Sequence, residues 1–420
     1  MDPHTVRSHE LRYDARVKAH ALLRIALVPL IAIVPASALA QDDEGIELPG
    51  DPPATDAPAP GPKTTATPPS VDAPSASAPD AAPKFTIEPF GFLRLQYRVV
   101  QNDPFVAFVG RDDGFELQNA RFGVHGAIVG KRVSYRLSID GAVDERTQVN
   151  IPDGRLRVGL RDAYADVLVS GSITLRAGYF RTLFDPDLED DTQREFVDRP
   201  IESRGVRATE GFQTPGLPPG RSLGAAIRLE PPQPESGARI GFELALQNGA
   251  DEFASDNDND VPAVSASVLA RLPNRTWLVA SGRWNRRTEG ALPLQRDEDD
   301  FQGSAGARVA LGPVAIGAGG IVQRTQFPTT GGPVRNAYGA HAMLSFTVPG
   351  ATPIGVGYRF GILDPSSLIV TDLVMEHSVR AVVSVPSLRL RLQLQLTYAA
   401  EQGERDLANN RAQLAAELSL

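Results

Sequence analysis

The sequence predicts an all-β fold, a transmembrane antiparallel β-barrel of about sixteen strands, and three observations lead to it. Polar and apolar residues alternate with a period of two along many segments, as they do in strands. The connections between these segments alternate between long and short. After the first 40 residues, the sequence contains no apolar run of the length that a helical membrane span needs.

The alternation is clearest near the C-terminus, in "SLRLRLQLQLTY" (Ser387–Tyr398), where leucine occupies every second position. One face of such a strand is apolar, and the other carries Arg and Gln. A soluble β-sandwich packs its apolar face inward, whereas a membrane barrel turns that face toward lipid. This segment by itself therefore leaves both orientations open.

The lengths of the connections favour the membrane barrel. Outer-membrane barrels have long loops on the outer side and tight turns on the periplasmic side. The last segment, "AQLAAELSL", predicts a strand that closes the barrel against the first strand. The predicted long loops are 101–114, 141–154, 181–221, 248–262, 286–300, 362–373 and 399–409, and the short turns include 129–132, 169–172, 272–275 and 312–313.

The N-terminal region predicts export and a tether. Residues 1–40 have a basic start, a short apolar stretch and an "ALA" cleavage site, which is typical of a signal peptide. Residues 41–84 are rich in Pro, Ala and Asp and predict a disordered linker. Residues 85–420 form the predicted barrel domain. An even strand number puts both barrel ends on the short-turn side, which predicts a periplasmic linker and a location in the Gram-negative outer membrane.

The distribution of charge predicts an anion-preferring pore. Acidic residues concentrate in the long loops, and arginines dominate the polar positions of the strands. A narrow water-filled pore lined by guanidinium groups lowers the barrier to anions and raises it to cations. The predicted pore-lining residues are Arg94, Arg98, Arg121, Arg136, Arg176, Arg389 and Arg391.

The longest connection, residues 181–221, is predicted to be functional because loops of this length are seldom slack. It follows the fifth predicted strand and has apolar and basic residues of its own. It either folds into the pore or lies over the mouth or at a subunit contact. The candidates for a constriction are Arg194, Arg199, Arg204 and Arg207.

Catalytic chemistry and cofactors are not expected. The chain has no cysteine, no "GxSxG" motif and no glycine-rich phosphate loop before a helix. The histidines of the barrel region, His125, His341 and His377, stand singly in strand segments. No metal site is expected, and the formal net charge of −9 gives no support to nucleic-acid binding.

Several motifs resemble the phosphate-selective porin O and P family. They are "LRAGYFRTLFDPD" followed by "EFVDRP", with "LRDAYADV", "ALQNG" and "GYRFGILDP" in the same order. The resemblance implies a homotrimeric, sixteen-stranded, anion-selective channel for phosphate-like solutes, surrounded by outer-membrane lipid and lipopolysaccharide. By position, Arg94, Arg121, Arg136 and Arg176 resemble the family's ladder of pore arginines. The sequence departs from the family in having one barrel lysine, Lys131, and Leu420 instead of a terminal aromatic residue.

Two other functions stay open at this point. The first is a structural or adhesive outer-membrane barrel without selective transport. The second is a secreted soluble β-protein, which would bury the leucines between two sheets.

Overall fold

The structure is a computed structural model that describes residues 85–420 except 112, 129–131, 142–157, 189–193, 231–236, 251–253, 290–292, 294, 329 and 403–406. The predicted signal peptide and linker, and Lys131, lie outside the described residues. Eighteen strands occur in the described part: β1 Glu88–Val100, β2 Gly114–Ile128, β3 Val133–Asp140, β4 Gly159–Ser170, β5 Ile173–Phe180, β6 Gly205–Val206, β7 Thr214–Pro215, β8 Ser222–Leu229, β9 Arg239–Gln247, β10 Ala263–Arg271, β11 Trp277–Glu289, β12 Arg296–Leu311, β13 Val314–Gln326, β14 Arg335–Val348, β15 Ile354–Asp364, β16 Leu373–Val385, β17 Leu390–Gln402 and β18 Arg411–Ser419.

Sixteen of these strands form one closed antiparallel barrel, which confirms the predicted fold class. Each strand pairs with its neighbours in sequence, and β18 pairs with β1 in a register that joins Phe92 to Ser419 and Val100 to Arg411. Closure leaves no sheet edge, so the backbone groups are satisfied between strands where lipid offers no hydrogen bonds. The small strands β6 and β7 pair with each other inside the β5–β8 connection.

The outer wall is apolar and the inner wall is mainly polar, as the alternation predicted. On β17, Leu394 and Leu396 are 44% and 51% exposed, whereas the intervening Gln395 is fully buried inside the barrel. Because lipid solvates apolar side chains, leucine can cover this outer surface without a protein partner. Among the described residues, no helix has the length and apolar character needed to cross a membrane.

Two details predicted from the sequence, one loop and one pore-lining residue, differ from the structure. The segment 286–300 is not a long loop, because β11 reaches Glu289 and β12 begins at Arg296, so most of it extends the β11–β12 hairpin. Arg389 does not face the lumen from a strand. It follows a short 3-10 helix, Pro386–Leu388, has a positive φ of 50° and is exposed in the turn before β17. The alternation continues through this turn in sequence, but the chain reverses at Pro386, and proline cannot donate to a strand ladder.

The described residues of the long loop, 181–188 and 194–221, pack inside the barrel and include α1, Ile201–Arg204. Its apolar side chains Phe184, Ile201, Val206 and Leu217 form one buried cluster with wall residues Ile321, Ala337, Leu363 and Val374. Full burial of an apolar side chain of this size stabilises by about 1.5–3 kcal/mol relative to exposure. The inward apolar residues of β13–β16 therefore bind the loop to this part of the wall.

Inward glycines let the loop approach the wall closely. A Cβ atom on Gly319 of β13 would lie 2.9 Å from the Cβ of Pro186 in the loop. A Cβ on Gly306 of β12 would collide with the backbone oxygen of the same proline, and one on Gly339 of β14 would collide with Glu202 of α1. Larger residues at these positions would push the loop away from β12–β14.

Candidate functional site: the lumen and its loop

Backbone and side-chain hydrogen bonds fix the long loop to many strands of the inner wall. The Val197 amide donates to Gln395 Oε1 of β17 at 2.9 Å, and the Val197 carbonyl accepts from Gln118 of β2 at 3.1 Å. On the other side, the Leu183 amide donates to Glu243 of β9 at 2.8 Å. The loop thus spans the lumen rather than covering the mouth from outside.

A buried network of ion pairs joins the loop to β1, β16 and β18. Arg204 in α1 donates to Glu210 at 2.7 Å and to Glu376 of β16 at 2.5 Å. Arg411 of β18 also reaches Glu376, at 2.8 Å, and Arg98 of β1 lies 3.3 Å from Glu210. Buried charges need such partners, because an uncompensated charge in the interior is costly.

The pKa values in this network are displaced toward the charged forms. Burial raises the pKa of Asp198, but the guanidinium groups of Arg207, Arg204 and Arg411 outweigh burial and hold this pKa at about 2. Burial likewise raises the pKa of Glu210, but neighbouring arginines, Arg204 first among them, hold it well below its ordinary value. Both loop carboxylates are therefore ionised at neutral pH.

The four arginines proposed for the constriction are all paired with acids in or near the loop. Arg194 lies 3.6 Å from Asp187, and Arg199 pairs with Asp185. Arg204 joins the network above, and Arg207 lies 3.6 Å from Asp198. Their side chains are 10% exposed or less, so their contacts stabilise the folded loop. Their place at the constriction stays a prediction.

Six of the seven proposed pore-lining arginines point inward from strands, and each has an acidic neighbour. Arg94 contacts Glu417 at 2.5 Å and is fully buried. Arg98 and Arg121 are also buried, beside Glu116 and Asp140. Arg136, Arg176 and Arg391 pair with Asp162, Asp166 and Glu417.

Exposure separates these arginines into two groups. Arg136 on β3 and Arg391 on β17 retain 27% and 17% exposure, and Arg228 on β8 retains 21%. All three lie toward the short-turn end of their strands, which corresponds to the periplasmic half of the barrel. Arg94 and Arg98 are 0% and 4% exposed and contact the loop or its partners. Among these arginines, the more accessible ones therefore lie toward the short-turn end of the barrel.

Sequence reasoning missed several inward residues that the structure brings to the loop. Arg308 of β12, Arg359 of β15 and Arg380 of β16 contact Glu195, Phe196 or Asp198. Arg359 and Arg380 stand at inward positions of alternating segments, so the same pattern that selected Arg391 could have found them. The sequence did not predict the inward position of the loop acids, because a run of acidic residues in a loop is typical of a solvent-exposed surface.

A closed sixteen-stranded transmembrane barrel with an apolar outer wall and a loop packed in its lumen has the architecture of an outer-membrane porin. Within this class, residues 92–258 match the phosphate-selective porin O and P family, which confirms the resemblance over that part of the chain.

Solved porin structures share the fold. The outer membrane protein OmpT of Vibrio cholerae, in a trimer form, has 11% identity and a TM-score of 0.55, with 80% of this chain and 100% of that chain covered. The outer membrane channel DcaP of Acinetobacter baumannii has 12% identity and a TM-score of 0.53, with 80% and 97% covered. OmpF of Salmonella typhi, in complex with daunomycin, has 11% identity and a TM-score of 0.51, also with 80% and 97% covered.

Identities this low establish a common fold and nothing finer. No curated protein sequence matches the chain.

Proposed function

We propose that the protein is an outer-membrane porin that conducts small solutes and prefers anions, phosphate-like oxyanions among them. The observation that carries the proposal is the accessible positive charge of Arg136, Arg228 and Arg391 in the periplasmic half of the lumen. Fixed guanidinium groups beside a narrow water path lower the barrier to anions. Guanidinium also matches the geometry of phosphate and carboxylate oxygens.

The acids of the lumen limit this preference. Asp162 and Glu243 pair with Arg136 and Arg228, so part of the positive charge is neutralised at its source. We expect moderate selectivity between anions and cations rather than exclusion of cations. The proposal includes a homotrimer surrounded by outer-membrane lipid and lipopolysaccharide, since the matched OmpT is described in a trimer form. It also includes the exported signal segment and the periplasmic linker of residues 41–84.

The experiment is a planar-bilayer measurement of the reversal potential across a potassium chloride gradient. The wild type is expected to show a potential of the sign that chloride preference produces, and Arg136→Glu and Arg228→Glu are expected to move it toward zero or beyond. Arg389→Glu is the matched control, because it makes the same charge change in an exposed turn at the same end of the barrel. A wild-type potential that favours potassium would contradict the anion preference.

A structural barrel without selective transport is the second candidate, because the loop crosses the lumen and many inward charged side chains are buried. Such a barrel would insert into bilayers and keep its heat-dependent mobility on gels, yet it would give no conductance steps. Conductance steps of defined size would exclude a structural barrel without transport.

A further inference from the structure

The carboxylate of Glu195 in the long loop bridges two arginines that belong to strands four positions apart in the barrel. Its Oε1 accepts from Arg308 Nη2 of β12 at 2.5 Å, and its Oε2 accepts from Arg380 Nη2 of β16 at 3.0 Å. Two guanidinium groups thus face one carboxylate, each holding a different oxygen. This is the arrangement that a protein uses to bind a free oxyanion.

A third arginine, Arg359, contacts the same loop phenylalanine as Arg380. Arg359 and Arg380 both lie against the ring of Phe196, with guanidinium carbons 4.6 and 5.3 Å from the ring centroid. Arg359 Nη1 donates to the Asp198 carbonyl at 2.8 Å, but its Nη2 is buried without a hydrogen-bond acceptor. The Arg359 residue is 3% exposed. A buried guanidinium with an unused donor is costly, and an anion in this place would satisfy it.

Water reaches the Glu195 bridge from one side. The side chains of Glu195 and Arg308 are 10% and 12% exposed, whereas those of Arg94 and Glu417 are 0% and 3% exposed. Arg308 is the fourth residue from the short-turn end of β12, so this accessible side lies in the periplasmic half of the lumen.

We propose that Arg308 and Arg380 form a binding site for small oxyanions, and that the Glu195 carboxylate occupies it as a tethered competitor. An incoming phosphate exchanges with the carboxylate, takes over the two Nη2 donors and offers a further oxygen to Arg359. Glu195 thereby lowers the affinity of the pore for oxyanions, which keeps bound anions from residing there and blocking conduction. Conduction requires binding that is favourable enough for entry and weak enough for release. This inference rests on the proposed function.

The test measures the concentration of inorganic phosphate that blocks half of the chloride current through the full-length protein. Glu195→Gln keeps the size of the side chain and removes its charge, so phosphate no longer competes with a carboxylate. We expect the half-blocking phosphate concentration to fall about tenfold, because charge-assisted hydrogen bonds to the arginines become available. The block is measured relative to each variant's own chloride current without phosphate, and the apolar cluster still binds the loop in this variant.

Two further variants make the result specific. Glu202→Gln removes the same charge from the same loop, but its partner is His341 rather than a pair of arginines, so phosphate block is expected to stay at the wild-type level. Arg308→Gln in the Glu195→Gln background is expected to reverse the gain. Gel mobility before and after heating verifies that each barrel is folded.

The inference is overturned if Glu195→Gln leaves phosphate block unchanged, or if Glu202→Gln increases it equally. It is also overturned if Arg308→Gln in the Glu195→Gln background leaves the phosphate block as strong as in Glu195→Gln alone, since Arg308 would then not bind the anion. A wild-type channel that favours cations would instead overturn the proposed function, and the two failures are therefore distinguishable.

Discussion

The inner wall of β12–β16 and the inner wall of β3, β4, β5 and β8 are built from the same alternating strands, yet they have different roles. The first, the docking wall, presents inward glycines and apolar residues to the long loop, and its Arg308, Arg359 and Arg380 contact loop groups. The second, the exposed wall, keeps Arg136 and Arg228 more than one fifth exposed, paired with acids of neighbouring strands. An inward arginine can therefore anchor the loop, as Arg359 and Arg380 do, or stay beside water, as Arg136 and Arg228 do.

The largest expected effect comes from separating the loop from the docking wall. Gly306→Leu places a side chain where Pro186 of the loop now lies, since even a Cβ atom would collide with the backbone of that proline. We expect the single-channel conductance to rise about twofold or more, because the displaced loop widens the narrowest part of the pore. Planar-bilayer recordings measure this change.

Gly303→Leu is the matched control, because it lies on the outer face of the same strand. A Cβ atom there meets only Val322, at an ordinary contact distance of 3.5 Å. Equal conductance of the two variants would show that the close approach of loop and wall does not narrow the pore.

A smaller effect is expected on the stability of the barrel when a buried inward arginine, rather than an exposed one, is replaced by glutamine. Arg94→Gln leaves Glu417 buried with Arg391 as its remaining arginine partner, which is expected to cost about 3 kcal/mol of barrel stability. Arg136→Gln is expected to cost less than about 1 kcal/mol, because water screens its pair with Asp162. Urea titration followed by gel mobility measures both. Similar midpoints for the two variants would remove the distinction between buried and exposed arginines.

The smallest expected effect is a change of conductance with pH, and it arises from the carboxylates of the long loop. The folded loop lowers the pKa of Asp198 from 3.8 to about 2, so it favours the carboxylate over the acid. That stabilisation is fully present above pH 4 and is lost as the pH falls toward 2. We expect conductance to be constant between pH 7 and pH 5 and to become noisy or larger below about pH 4.

Single-channel recordings over this range measure the effect. A rise in conductance already at pH 6 would contradict the assignment of Asp198 and Glu210 as the titrating groups.

The barrel itself could be predicted from the sequence because its signal is local. Leu394, Gln395 and Leu396 reveal the period of two without any knowledge of distant residues. The order of long and short connections then indicates which end faces the periplasm. The same local signal failed at Arg389, where the leucine alternation continues across a turn that Pro386 begins.

The site was predicted only in part, because roles inside the lumen depend on contacts between distant residues. The alternation selected Arg94 and Arg136 by the same rule. Nothing in the sequence shows that Arg94 is buried against Glu417 whereas Arg136 stays exposed to water. Glu195 and Arg380 are 185 positions apart, and no local pattern links them.

The sequence by itself determined the sixteen-stranded wall, its apolar outer face and its polar inner face, because strand alternation is set by neighbouring residues. Only the tertiary structure decided that the long loop folds inward and which arginines it covers. Those outcomes depend on inward glycines, apolar partners and opposite charges that meet only after the barrel has closed.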